Sequence, residues 1–284
     1  MADNPKNQTW LDSLDSVRMV DDEKVKSQFI ETYSKIHKVS TEDAEVIYNK
    51  EAIYYKQALS SSDKLKTCTK ISLYSAWLEI AIIGTSIQPG AKSLAYLESR
   101  SSKVGENWIH TCRIVLTAYG ELEARIKSGQ ILVMLNPIVV YEGDTFQPRT
   151  NQHGEIYVDY AACIPRKSNT IIGSWVRMIV PGNISDFKWL TVDDIERLKK
   201  CSIPKTGGSA NALYSSANGG IDPGFLEAKT IKHAMRSKGK LKVSAVVALE
   251  GEDDEDEAPV NTTSFAKPAP EEKATITINP DEPF

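Results

Sequence analysis

"AYGELEARIKSGQILVMLNPIVVYE", residues 118–142, changes its period halfway along. Up to Gly129 the apolar residues Tyr119, Leu122 and Ile126 recur at helical spacing, with two acids and two bases set between them. Thr117 is placed to cap this segment, Glu121 and Glu123 sit near its positive end, and Gly129 ends it. From Gln130 onward an apolar run replaces the helical spacing, and Pro137 interrupts it. Proline cannot donate to a ladder, so this strand is expected at a sheet edge or with a bulge there. A short helix running straight into a strand implies an α+β layer structure. Its buried stripe is expected to be Tyr119, Leu122 and Ile126, with Arg125 and Lys127 flanking it outside.

Downstream, "EIYVDYAACI" (155–164) and "TIIGSWVRMIV" (170–180) read as further strands. The links "GDTFQPRTNQHG" and "PRKSN" are polar and turn-rich, which predicts an antiparallel meander. "TVDDIERLKK" (191–200) is a helix capped by Thr191, and 202–220 has the composition of a flexible loop. "DPGFLEAKTIKHAMRSKG" (222–239) carries Asp222 as N-cap, Pro223 in the first turn and Gly239 past the end.

Upstream, Val25, Phe29, Tyr33 and Ile36 mark one helix, and Ser40 with Asp43 caps a second over 41–60. A third runs through 65–83 and stops at Gly84. "LAYLE" and "WIHTCRIVL" flank "SRSSKVGEN" as a hairpin. The expected organisation is a flexible lead-in over 1–22, one core over 23–245 and a disordered acidic tail over 246–284. Within that core, N-terminal helices precede a central antiparallel sheet with a short packed helix, and a basic helix closes it.

Charge is unevenly spread. The chain carries −4 in all, but residues 250–284 hold eleven acids against Lys267 and Lys273, leaving the body net positive. A basic body with an acidic tail suits nucleic-acid handling. No stretch is apolar enough to span a membrane, and the polar N-terminus is unlike a signal peptide. Cys68, Cys112, Cys163 and Cys201 form no CxxC pair and read as free thiols of a reducing cytoplasm. P-loop, HExxH and GxSxG motifs are absent, so neither a nucleotide nor a resident metal is expected, with Mg²⁺ only modulating DNA binding.

On the 222–239 helix, Lys229, Lys232 and Arg236 fall within an arc of about 60° and span about 10 Å, a row suited to a phosphate backbone. Arg125, Lys127, Arg149 and Arg177 add cations on or beside the sheet, interleaved with Tyr141, Phe146, Tyr157, Tyr160 and Trp175. Aromatic platforms with a cationic groove hold single strands without reading sequence. Two other readings stay open. One is a metal-dependent nuclease using Glu142, Asp144 and Glu155; the other is a structural oligomer whose basic rows meet acidic tails.

The blocks "IIGTSIQPGAKSLAYL", "AYGELEARIKSGQI", "VVYEGDTF", "IIGSWVRM", "WLTVDDIERLK" and "EAKTIKHAMR" stand in the order and rough spacing of the RecT family of phage-type single-strand annealing proteins. The chain resembles that family over about residues 65–240. The resemblance implies a non-enzymatic protein of the bacterial or phage-infected cytoplasm. Its members bind single-stranded DNA, anneal complementary strands without ATP, assemble into rings or filaments, and work beside a 5′–3′ exonuclease. The last residues, Asp281, Glu282, Pro283 and Phe284, resemble the tail tip of bacterial single-stranded-DNA-binding proteins. That tip implies docking either on host repair proteins or on the chain's own DNA groove.

Overall fold

The computed structural model describes residues 10–203 and 208–241, and in its N-terminal half four helices enclose one apolar cluster. α1 (Glu23–His37) is capped by the Asp22 carboxylate and α2 (Thr41–Ser60) by Ser40. The expected third helix is divided. A short α3 (Asp63–Lys66) and α4 (Lys70–Ile83) are separated at Thr67–Thr69, where the Thr69 N–H turns to the His110 carbonyl at 2.9 Å. Gly84 ends α4 at φ +67, as expected. Phe29, Tyr48, Tyr55 and Trp77 meet at the centre with ring separations of 4.6–5.7 Å. The expected lead-in is not loose from residue 10 onward: Leu11, Met19 and Val20 are buried in this same cluster.

The hairpin of β1 (Ala95–Val104) and β2 (Asn107–Leu116) closes the cluster with Ala95, Leu97 and Cys112. The strands run through "SRSSKV", expected in the loop, and leave a two-residue turn. Gly105 occupies its first position at φ +62, matching a II′-type hairpin.

Thr117 caps α5 (Ala118–Lys127), which delivers the chain to a second layer. There β3 (Val133–Met134) and β4 (Ile138–Tyr141) lie along one edge of β7 (Ile171–Val180), and β8 (Ile184–Thr191) lies along the other, all antiparallel. Met134 faces Met178 whereas Ile138 faces Trp175, so the register slips by one residue across Leu135–Pro137. Pro137 therefore sits at an edge-strand irregularity, as its missing donor requires.

The expected meander is corrected. "EIYVDYAACI" does not join the central sheet. Its β6 (Ile156–Ala161) pairs with β5 (Thr145–Thr150), which lies in the supposed turn-rich link, as a separate hairpin. The place beside β7 goes to β8, "ISDFKWLT". β8 runs through the capping-box residue Thr191 into α6 (Val192–Ser202).

α7 (Pro223–Arg236) and α5 cover one face of this sheet. Val176 and Met178 of β7 meet Ile231, Ala234 and Met235 of α7 there, and Ser174 and Thr230 share a buried hydroxyl pair. The described part of the 202–220 loop is more ordered than its composition implied. Tyr214 is buried with Leu226, Ile221 and Leu198, in edge contact with Phe225 at 5.1 Å. The architecture is α+β, and no helix among the described residues is long and apolar enough to cross a membrane.

Candidate nucleic-acid interface

Strand alternation divides the side chains of β7 between two faces. Ser174, Val176 and Met178 point into the helical layer. Trp175 and Arg177 therefore share the opposite face, where the neighbouring β8 places Trp189 and Phe187 directly across from them. The β5–β6 hairpin folds over this face. Phe146 stacks on Trp175 at 6.5 Å, Tyr160 meets it at 5.8 Å, and Phe187 stacks on it at 6.1 Å. Arg177 lies 5.8 Å from the Phe187 ring and donates to Ser185 Oγ at 2.9 Å, which fixes the guanidinium beside the rings. All these aromatic residues are half-buried, and the Trp175 indole N–H is buried without a partner. Arg149, on β5, is an exposed cation ion-paired to Asp159 at 2.9 Å.

Lys229, Lys232 and Arg236 lie on α7, on the other side of the sheet, and are each half-buried. The Lys229 ammonium sits 5.1 Å from the Phe225 ring. Near the end of this row the charge concentrates. His233 is pushed below its usual range, first by burial and then by Arg236, Arg197 and Lys188, while Asp194 pulls the other way. Cations from β8, α6 and α7 thus converge on one imidazole, and neither Lys188 nor Arg197 was expected there from the sequence. A period-2 reading of "ISDFKWLT" would have found Lys188 and Phe187.

Two expected contacts change role. Arg125 is only 5% exposed rather than outside the stripe; it ion-pairs with Glu121 at 2.6 Å and donates to the Gly239 carbonyl at 3.0 Å. Ile126, expected inside, is 40% exposed, whereas Tyr119 and Leu122 of the same expected stripe pack partly buried against the Val176 and Met178 cluster, beside the buried Ala118, Gly120 and Ala124. A Cβ on Gly120 would stand 1.9 Å from the Leu94 carbonyl oxygen, so the helix rests directly on that backbone through its small residues. Lys127 is about half exposed, but its ammonium donates to the Gly84 carbonyl at 2.8 Å and pairs with Glu123 at 2.6 Å. These contacts tie α5 to the residues that follow α7 and α4.

Tyr141 stands apart from the Trp175 cluster. It follows a β-bulge at the end of β4, with the Arg166 guanidinium stacked over its ring at 3.5 Å. Asp144 serves the turn. Its carboxylate accepts from the Tyr141 N–H at 2.9 Å, the Cys163 N–H at 2.8 Å and the Tyr160 hydroxyl at 3.2 Å, and the two backbone bonds hold its pKa below the usual range. Glu155 accepts from the Asn151 side chain at 2.7 Å. Among the described residues no group of three or more His, Cys, Asp or Glu could hold a metal ion. The tail-tip residues Asp281, Glu282, Pro283 and Phe284 lie outside the described residues. Compared with known proteins, the chain matches no family model and no curated protein.

Proposed function

We propose that this protein binds single-stranded DNA and anneals complementary strands without nucleotide hydrolysis, working as an oligomer in the cytoplasm. The observation that carries the reading is the outer sheet face. Trp175, Phe187, Phe146 and Tyr160 form a contiguous aromatic surface with Arg177 at its edge. Stacking rings combined with guanidinium groups bind bases without choosing among them, as annealing requires. The cations of α7, with Lys188 and Arg197, supply a second surface for phosphates. The six sequence blocks that resemble the RecT family support the same reading and add an exonuclease partner and a ring or filament assembly to it.

The test is direct. Two complementary oligonucleotides are added in sequence to the protein without ATP, and duplex formation is followed by energy transfer between end labels. Acceleration over the protein-free rate, with assemblies seen by electron microscopy, is the expected outcome. Binding without acceleration would reduce the protein to a single-strand-binding module.

A further inference from the structure

The end of β4, the 165–170 link, the first half of α6 and the turn at 217–220 enclose a cleft of about 570 Å³. That is within the roughly 300–1,000 Å³ typical of small-molecule sites. It belongs to neither surface described above. Ile171, Ile195 and Ile221 give it an apolar wall. Arg166 presents a flat guanidinium backed by the Tyr141 ring at 3.5 Å, so one face of the cation is already stacked. Lys199 brings an ammonium to the rim, with Glu196 as far as 4.0 Å away. Asn169 and Asn218, both bearing side-chain amides, line it as well. The turn bearing Asn218 is preformed: Ala217 and Gly220 exchange both backbone hydrogen bonds, at 3.0 and 2.8 Å, around two residues with positive φ.

A relay of contacts links the cleft to the aromatic face. Trp175 touches Tyr160, the Tyr160 hydroxyl donates to Asp144, and Asp144 accepts the backbone N–H of Tyr141, whose ring carries Arg166.

A flat cation stacks on a flat heteroaromatic ring, side-chain amides meet that ring's polar edge, and an ammonium meets a phosphate. A nucleotide combines these three requirements. We propose that the cleft is a nucleotide subsite. It takes one nucleotide of the bound strand, with the base against Arg166 and the phosphate beside Lys199. The proposal rests on the single-strand reading above and names a place in it that the sheet face does not supply.

The test uses the full chain and two probes. Thymidine monophosphate is titrated into isotopically labelled protein, and amide resonances are followed. Shifts confined to Tyr141, the 166–171 segment, Lys199 and the 217–220 turn are expected, and they should vanish in Arg166→Ala. No shifts there would overturn the subsite. An oligothymidylate is then bound to wild type, Arg166→Ala, Arg166→Lys and Lys199→Ala, each checked for folding by circular dichroism. Loss of one stacked base predicts roughly fivefold to 100-fold weaker binding in Arg166→Ala. Arg166→Lys should fall nearly as far, because it keeps the charge and loses the plane. Unchanged affinities in the variants of a protein that does bind the oligonucleotide would overturn the subsite and leave the sheet face standing. A protein that takes thymidine monophosphate in the cleft but binds no oligonucleotide would overturn both the strand reading and this role in it.

Discussion

Arg125 shows how one side chain can carry the right chemistry in the wrong place. Its charge would suit a phosphate, but the Glu121 carboxylate and the Gly239 carbonyl consume it, and its Nη1 is buried without a partner. Arg125→Ala leaves Glu121 facing a packed helix without its cation. Removing one partner of a buried pair costs about 3–5 kcal/mol, and Glu121, still 22% exposed, places the loss at the low end. Urea denaturation should show that loss while oligonucleotide affinity of the folded fraction stays unchanged. Trp175 predicts a contrast between two substitutions. Trp175→Phe removes an indole N–H that has no partner, so it forfeits no protein hydrogen bond. Trp175→Ala removes the surface on which Phe146, Tyr160 and Phe187 rest, at about 3–5 kcal/mol. If the two variants melt alike, the ring cluster does not hold the β5–β6 hairpin down.

At the scale of elements, α5 is positioned by Gly120. A Cβ there would meet backbone, which cannot rotate away as a flexible side chain could. Gly120→Ala improves helix propensity by about 1 kcal/mol, yet overpacking costs about 1–3 kcal/mol or more, so the variant should be the less stable in thermal melts. The junction of α6 and α7 carries a pH dependence. His233 faces Asp194 and Arg197 of α6, Arg236 of its own helix and Lys188 of β8, and burial dominates in lowering its pKa. A histidine whose folded pKa lies below its unfolded value near 6.5 leaves the unfolded chain binding more protons between the two. Stability should therefore be complete above about pH 7 and fall as pH drops through 6.5, levelling below the folded value. Asp194, also held low through the capping box with Thr191, adds a loss only in the carboxylate range. In His233→Gln the slope between pH 7 and 5.5 should disappear; if it persists, another group titrates there.

For the whole molecule, the arrangement of charge matters more than its sum. Trp175 and Arg177 face away from α7, so the ring surface and the Lys229, Lys232 and Arg236 row lie on opposite sides of one sheet. A strand using both must pass an edge, or two protomers must each supply one. Substituting all three cations of α7 by alanine should lower the log–log salt slope of binding by about 0.7 for each phosphate no longer neutralised. Adding Phe187→Ala should then reduce affinity additively, since the two sites lie on opposite faces of the sheet. A slope unchanged in the triple variant would remove α7 from the interface.

Local chemistry made several features legible in the sequence. Capping by Ser40, Thr117, Thr191 and Asp222, the stop at Gly84 and the edge irregularity at Pro137 each depend on one residue and its immediate neighbours. The aromatic and cationic residue types were legible for the same reason. Pairing was not. β5 reads as turn by composition and β8 reads as an approach to a helix, and only competition among strands for the edges of β7 gave the place to β8. Which side of α5 is buried depended on the Leu94 carbonyl, 26 residues before Gly120 in sequence but close enough to bar a methyl group. The stacking of Arg166 on Tyr141 likewise joins residues from separate elements. Composition and period report what a residue can do, whereas burial and pairing depend on which distant backbone arrives beside it, and that is decided only when the layers pack.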